Sequence, residues 1–279
     1  MLISAKLAPV FPYEQLESFW RDADELGFHS IWNYDHFYGL GGGLMELAGD
    51  TLEGWTTLAA MAKVVRRARI GCMVTGVTYR HPAVLANMAV AVDHISGGRL
   101  NFGLGAAWHE PEHRGYGLPY PSAGTRIEML DEALQVVKLL WTQESASFAG
   151  EHFTLNDALC NPKPLQSPHP PVYVGGNGER KTLRVVAKHA DEWNGLSFGD
   201  VPGWTRLNGI LDEHCAVVGR DPGQIRRGVQ LFIHPAQEGQ LEQQMALVPA
   251  FEDAGCQHVV LSFYQPPSRA QLEHVAPGR

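Results

Sequence analysis

The sequence predicts an α/β fold of one domain over residues 1–279, an eight-stranded (β/α)8 or TIM barrel, and three observations support this fold class. Short apolar runs alternate with helical patterns along the chain, as in parallel sheets whose strands are joined by helices. The length of 279 residues suits one barrel of roughly 250 residues. Eight such strands can be counted, and eight strand–helix units predict closure.

Eight segments have the length and apolar character of buried strands. They are residues 2–7, 29–33, 69–75, 99–104, 172–174, 192–196, 226–233 and 258–263. The fourth strand ends at Gly105, Ala106 and Ala107, and these small residues leave space for a flat group against the backbone.

Helical segments separate these strands. Apolar spacing or composition predicts helices at residues 13–27, 54–66, 82–95, 126–141, 181–189, 203–218 and 239–254, and only a short helix after Phe263. Residues 143–171 are expected to form an insertion. Alternation over residues 146–155 predicts a hairpin there, and five prolines then predict an extended surface crossing.

Composition argues against several classes of protein. The formal net charge is −8 with no basic block, which argues against a nucleic-acid partner. No apolar run approaches the roughly 20 residues of a membrane span, and the N-terminus lacks a signal-peptide pattern. The four cysteines show no C-x-x-C spacing, so we expect reduced thiols and a cytoplasmic protein.

Candidate reactive residues follow the strands, because active sites of (β/α)8 barrels form at the carboxyl ends of their strands. His36 is the best general acid or base, since imidazole titrates near neutral pH. Asp35 beside it points to the opposite face if the strand continues. The alternative for His36 is a loop histidine bonded to backbone. The strand ends are Asp35, His36, Val74, Thr75, Gly76, Ala106, Ala107, Trp108, Gly175, Gly176, Asn177, Gly178, Trp193 and Asn194.

The turn Gly175–Gly178 precedes a helix and exposes backbone amides, which favours an anion site. Arg180, Lys181 or Arg184 could add positive charge, and the alternative is a plain tight turn. Barrel phosphate sites frequently follow strands seven and eight, whereas this turn follows strand five. Three tryptophans could stack on a ring or belong to the core: Trp55, Trp108 and Trp193.

The run His109-Glu110-Pro111-Glu112-His113 satisfies the H-E-x-x-H pattern of zinc proteases. That site needs both histidines on one face of a helix, and Pro111 disfavours a helix unless it begins there. No third ligand motif follows. We therefore expect no metal in such a site, and expect these side chains to rim a cleft.

Four blocks in this order resemble the luciferase-like monooxygenase superfamily, especially its branch of coenzyme F-420-dependent oxidoreductases. The blocks are IWNYDHF, TLAAMAKVVRRARIGCMVTGVTYRHPAVLA, SGGRLNFGLGAAWHEPEHRGYG and CNPKPLQSPHPPVYVGGNGERKTLRVVAKHADEWN. The resemblance implies a luciferase-like TIM barrel that holds a flavin-type ring above the strand ends.

The resemblance also implies roles for particular residues. His36 matches the histidine near the reactive ring carbon, and Met73-Val74 matches a bulge behind the central ring, often with a non-proline cis peptide. Ala106 and Ala107 match positions near the ring and its ribityl chain, and Gly175–Gly178 match the phosphate-binding turn. Trp108 replaces an acidic residue of the sugar-phosphate members, so their substrate is not carried over.

The implied activity is hydride transfer between coenzyme F-420 and a small organic substrate, with His36 handling a proton. The first alternative is an FMN-dependent monooxygenase that uses reduced flavin, dioxygen and a partner flavin reductase. The second is a non-catalytic flavin-binding barrel. Relatives are commonly dimers, which the apolar helix at residues 82–95 could support unless it packs on the barrel. Residues 39–49 are expected to form a mobile lid.

Overall fold

The computed structural model describes residues 1–39, 49–234 and 236–277. Most of the predicted lid, residues 40–48, lies outside this part of the chain. The strands in chain order are β1 (Leu2–Leu7), β2 (Ser30–Asn33), β3 (Arg69–Cys72), β4 (Thr75–Gly76), β5 (Leu100–Gly105), β6 (Ala146–Ala149), β7 (Thr154–Ala158), β8 (Val172–Gly175), β9 (Glu192–Leu196), β10 (Arg226–Ile233) and β11 (His258–Phe263).

Parallel pairing closes nine of these strands into a barrel of eight positions, which confirms the predicted TIM barrel. The order around the barrel is β1, β2, β3, β5, β8, β9, β10 and β11, and β11 pairs with β1. The short β4 continues β3 after a break and pairs with β5. All carboxyl ends therefore meet at one rim, because every barrel strand runs in the same direction.

The helices are α1 (Tyr13–Glu25), α2 (Gly54–Val64), α3 (Pro82–Ser96), α4 (Glu110–Tyr116), α5 (Ala123–Thr142), α6 (Thr182–His189), α7 (Val201–Val218), α8 (Gln240–Met245), α9 (Val248–Asp253) and α10 (Arg269–Val275). Their apolar faces pack on the barrel and form one large core. As predicted, Pro82 begins α3, and the helix after Phe263 is short.

One helical prediction was wrong. The helix predicted over residues 239–254 is divided into α8 and α9, because Pro249 has no N–H to donate to the preceding turn. The segment that contains Glu112 forms α4, which begins at Glu110, so the condition stated for a helix at Pro111 is met. Pro111 lies in its first turn, where a missing N–H breaks no intrahelical bond.

The predicted insertion is present between α5 and β8. Its strands β6 and β7 pair as an antiparallel hairpin apart from the barrel. The following segment contains two cis X-Pro bonds, at Pro162 and Pro168. The buried Asp93 of α3 accepts hydrogen bonds from the N–H groups of Leu165 and Gln166, which attaches this segment to the barrel.

The barrel interior contains polar side chains that bond to one another. Lys6 donates to Gln230 over 2.9 Å, and Gln230 donates to Asn194 over 2.5 Å. Burial lowers the pKa of Lys6 to about 8. The four cysteines are buried and unpaired. Among the described residues, no helix has both the length and the apolar composition needed to cross a membrane.

Candidate active site

His36 follows the carboxyl end of β2 and is held by a buried carboxylate. Its Nδ1 lies 2.8 Å from Oε1 of Glu112, in the first turn of α4. The same oxygen accepts the Tyr79 hydroxyl, and Oε2 accepts the Phe37 N–H over 2.8 Å. The Glu112 side chain is completely buried. The partner of His36 is thus a side chain from another unit of the barrel, and the backbone-bonded alternative does not describe it.

The contacts of Glu112 decide its charge. Burial works to raise the pKa of this carboxyl, but hydrogen bonds from His36, Tyr79 and the Phe37 N–H outweigh burial and lower the pKa to about 2. An ionised carboxylate has no proton to donate. In the neutral histidine the proton therefore lies on Nδ1, and Nε2 is left to accept a proton at the rim.

Aromatic edges surround the His36 ring. Tyr34 and Trp108 meet it edge-on, with ring centroids 4.9 and 5.3 Å away, and His109 meets it at 5.7 Å. Trp108 is 43% exposed and follows β5. Sequence reasoning placed Trp108 and His36 at separate strand ends, and the closed barrel brings them together.

Asp35 faces away from this pair. Its two carboxylate oxygens lie 2.6 and 2.9 Å from the guanidinium nitrogens of Arg80, which also pairs with Glu53. Burial raises the pKa of Asp35 to about 6, although Arg80 works to lower it. Its observed contacts tie the end of β2 to the loop before α3, and a catalytic role for Asp35 stays a prediction.

The bond between Met73 and Val74 is a non-proline cis peptide, at the position where the resemblance implied one. A Cβ added to Gly105 would lie 2.7 Å from Val74 Cγ2, and a Cβ added to Gly175 would lie 3.3 Å from the same atom. The interpretation of Gly105 as open space for a flat group was therefore wrong, because the Val74 side chain occupies that space. Thr75 is buried, and its hydroxyl accepts the indole N–H of the core residue Trp55 over 2.8 Å.

After β5, backbone carbonyls of the segment predicted to bind a ring accept hydrogen bonds from side chains at and just before the start of α5. Arg126 donates to the carbonyl of Ala106 over 3.1 Å, and Tyr120 donates to that of Trp108 over 2.7 Å. Ala107 has φ +57°, a left-handed conformation that is unusual for a residue with a Cβ. Contact of Ala106, Ala107 and Met73 with a cofactor stays a prediction.

The glycine turn follows β8, the fifth strand of the barrel, as predicted. Gly176 has φ +124°, which favours glycine. The Asn177 side chain is engaged with both backbone groups of Leu196. Trp193 is completely buried, stacks on Trp204 and donates its indole N–H to Gly176. In this arrangement Trp193 supports the turn from behind, and the expectation of a side chain open to a ring does not fit its burial.

A cavity of about 780 Å³ lies beside the turn. It is lined by Gly124, Ile127, Asn177, Gly178, Glu179, Arg180, Lys181 and Thr182. Within the described part of the chain, the backbone N–H groups of Gly178, Glu179 and Arg180 have no acceptor. Lys181 is paired with Glu128 over 2.7 Å. These free amides belong to the turn that leads into α6, and free amides of such a turn are suitable donors for a phosphate.

The H-E-x-x-H motif does not direct its two histidines to one point. His113 bonds through Nδ1 to the carbonyl of His109 and through Nε2 to the hydroxyl of Thr78. Both ring nitrogens of His113 are therefore engaged away from the His109 ring. Sequence reasoning missed the role of Glu112 as the partner of His36, although Glu112 lies inside the motif.

The fold defines a TIM-barrel protein, and the side chains of the candidate site meet at the carboxyl rim of its barrel. The chain belongs to the luciferase-like monooxygenase family, whose model matches residues 3–277. This family comprises oxidoreductases and monooxygenases.

Curated relatives match part of the chain. An uncharacterized protein of Mycobacterium tuberculosis is 37% identical over 143 residues, which cover 51% of this chain and 49% of the relative. An FMNH2-dependent dimethylsulfone monooxygenase of Pseudomonas putida is 28% identical over 152 residues, which cover 54% of this chain and 40% of the relative. The matched region spans about half the length, or less, of these relatives.

Solved structures share the fold over nearly the whole chain. An F420-dependent secondary alcohol dehydrogenase in complex with an F420-acetone adduct superposes with a TM-score of 0.86 and 18% identity, covering 99% of this chain and 98% of that one. Coenzyme F420-dependent tetrahydromethanopterin reductase from Methanopyrus kandleri superposes with a TM-score of 0.80 and 14% identity, covering 99% of this chain and 97% of that one. The monooxygenase RslO1 from Streptomyces bottropensis superposes with a TM-score of 0.77 and 19% identity, covering 99% of this chain and 96% of that one.

Proposed function

We propose that the protein is a coenzyme F-420-dependent oxidoreductase that transfers a hydride between the deazaflavin and a small organic substrate. The observation that carries the proposal is the His36–Glu112 pair, an imidazole held by an ionised buried carboxylate at the catalytic rim. The F-420-dependent enzymes among the structural neighbours support the choice of cofactor at the level of fold.

The residues beside the glycine turn fit a cofactor that carries a phosphate. The free amides of Gly178, Glu179 and Arg180 would bind its oxygens, and the Arg180 guanidinium would add positive charge. The Met73-Val74 backbone, backed by Gly105 and Gly175, would form a wall for one face of the ring. When bound, the cofactor supplies the hydride chemistry.

The chain supplies the proton handling. His36 Nε2 accepts the proton of a substrate hydroxyl, or as imidazolium returns it to a carbonyl oxygen. Glu112 keeps the neutral ring protonated on Nδ1 and stabilises the imidazolium that forms. Tyr79 and the Phe37 N–H hold the carboxylate in place, so the ring orientation does not depend on substrate.

A second candidate function is an FMN-dependent monooxygenase. The FMNH2-dependent dimethylsulfone monooxygenase among the sequence relatives favours it. Both cofactors need a wall for the ring and a phosphate site, and oxygen chemistry would in addition require a flavin reductase as partner. For either function we propose a cytoplasmic homodimer that acts on a small molecule.

A side-by-side titration of the purified protein with coenzyme F-420 and with FMN, followed by fluorescence, tests the proposal. We expect micromolar or tighter binding of F-420 and weaker binding of FMN. Preference for FMN would replace the proposal by the monooxygenase. Binding without turnover across a panel of alcohols and ketones would favour a non-catalytic flavin-binding barrel, and binding of neither cofactor would remove the proposal.

Two variants separate proton handling from binding once a substrate is found. His36→Ala should lower kcat by about 100-fold or more while the Kd for the cofactor stays within a few fold. Glu112→Gln keeps the shape but removes the charge, so it should shift the pH profile of kcat as well as lower the rate. Full turnover by His36→Ala would exclude this histidine from the mechanism.

A further inference from the structure

His109 is a buried histidine whose hydrogen-bonding groups are unused. Its side chain is completely buried, and neither ring nitrogen has a hydrogen-bond partner within the described residues. Buried polar groups are nearly always paired, so an unpaired one points to an unseen partner. Because the His109 side chain is fully shielded from solvent, a bulky substrate is a poor candidate for this partner and a small ion is a better one.

His109 is one of three residues whose possible ligand atoms lie close together. His36, His109 and Glu112 each offer one such atom, and these atoms all lie within 4.8 Å of one another. Glu112 Oε1 is 2.8 Å from His36 Nδ1 and 3.7 Å from His109 Nδ1. Ligands that surround one ion at about 2.0–2.2 Å must be separated by distances of this order.

We propose that His36, His109 and Glu112 form a binding site for a divalent transition-metal ion, with Zn²⁺ as the best-matched ion. Two imidazoles and one carboxylate are a known zinc ligand set with an open fourth position. Mg²⁺ and Ca²⁺ prefer oxygen ligands, so they are not expected to compete. This set differs from the H-E-x-x-H motif, because His36 replaces His113.

The supporting groups of a metal site are already in position. A carboxylate that binds a metal is usually held by further hydrogen bonds. Tyr79 donates to Oε1 of Glu112 and the Phe37 N–H donates to Oε2, so the carboxylate stays oriented when the ion replaces the proton on His36 Nδ1. Neither ring nitrogen of His109 has a hydrogen-bond partner within the described residues, so this imidazole can bind an ion without giving up a hydrogen bond.

The site would compete with the proposed function, and this consequence rests on that function. An ion on Nδ1 leaves the ring proton on Nε2, which then cannot accept a proton from substrate. Zn²⁺ would thus act as an inhibitor that captures His36 in its inactive tautomer.

The experiment measures binding of the metal alone to the full chain after chelator treatment. Zn²⁺ is titrated against a chromophoric chelator, and Co²⁺ gives the visible absorption of a low-symmetry site. We expect one ion per chain at micromolar Kd or tighter, unaffected by millimolar Mg²⁺. His109→Gln should weaken binding by about 100-fold or more, because it removes a ligand.

His113→Gln is the matched control. It removes the other histidine of the motif and should leave Zn²⁺ binding within about threefold, with the fold of each variant checked by circular dichroism. His36→Gln supplies a second ligand test if His109→Gln fails to fold. The proposal is overturned if the wild-type chain binds no stoichiometric ion, if His113→Gln loses as much affinity as His109→Gln, or if His36→Gln binds normally. The cofactor titration, done in chelator, reports on the proposed function separately.

Discussion

Gly54→Ala tests how the segment that carries His36 is held. Gly54 begins α2 and packs against the backbone after β2, where its carbonyl accepts the Asn33 side-chain amide over 2.7 Å. An added Cβ would lie 2.6 Å from the carbonyl oxygen of Tyr34 and 3.1 Å from Cα of Asp35. Both are backbone atoms, so no side chain can turn away to relieve the clash.

The magnitude follows from this geometry. Ordinary contact with a Cβ begins at 3.4 Å, so the Tyr34 oxygen is roughly 0.8 Å too close. Overpacking of this kind costs about 1–3 kcal/mol, and the better helix propensity of alanine offsets a few tenths of that in a first turn. We expect Gly54→Ala to lower the free energy of unfolding by about 2 kcal/mol, measured as a lower denaturant midpoint at unchanged slope.

Gly209→Ala is the matched control for the same chemical change. Gly209 lies exposed within α7, and a Cβ there would meet nothing within 4 Å. Alanine should therefore raise the free energy of unfolding by about 0.5–1 kcal/mol. The two variants should move the midpoint in opposite directions. A Gly54→Ala protein as stable as the wild type would refute the packing of α2 on the His36 segment.

Three further predictions concern other contacts. Arg99 donates to three backbone carbonyls at the end of α2 and before β3, so Arg99→Leu should cost about 2–4 kcal/mol, seen by thermal unfolding. Burial would raise the pKa of Asp131, but hydrogen bonds from His189 and Lys188 lower it to about 2. Since this pKa lies below the value of 3.8 in the unfolded chain, the carboxylate stabilises the fold above about pH 4, and this stabilisation is lost as the pH falls toward 2. Asp131→Asn should lower the free energy of unfolding by only about 1 kcal/mol at pH 7, because the carboxylate is partly exposed. The variant should also show a weaker dependence of stability on acid pH. Arg180→Ala should weaken cofactor binding about fivefold at low salt and less at high salt, and an unchanged Kd would remove Arg180 from the phosphate site.

Patterns along the chain determined the barrel. Alternating apolar runs and helical spacing predicted all eight strand positions, because a parallel strand buried on both faces is apolar nearly throughout. Local chemistry also marked the glycine turn and His36 at strand ends. The division of α8 from α9 was readable from Pro249, although the apolar pattern on both sides of it masked the break.

Pairings between distant segments were decided only by the tertiary structure. The carboxylate that holds His36 belongs to Glu112, 76 residues further along the chain. In the sequence, Glu112 was interpreted only as part of the H-E-x-x-H motif. Likewise the small residue Gly105 indicated empty space, and only the folded barrel shows the Val74 side chain filling it. Periodicity reports which face of an element is buried, whereas the partner of a polar group depends on which loops the closed barrel brings to one rim. The sequence by itself thus determined the family fold and the rim where the site lies, and the tertiary structure decided that His36, His109 and Glu112 meet there.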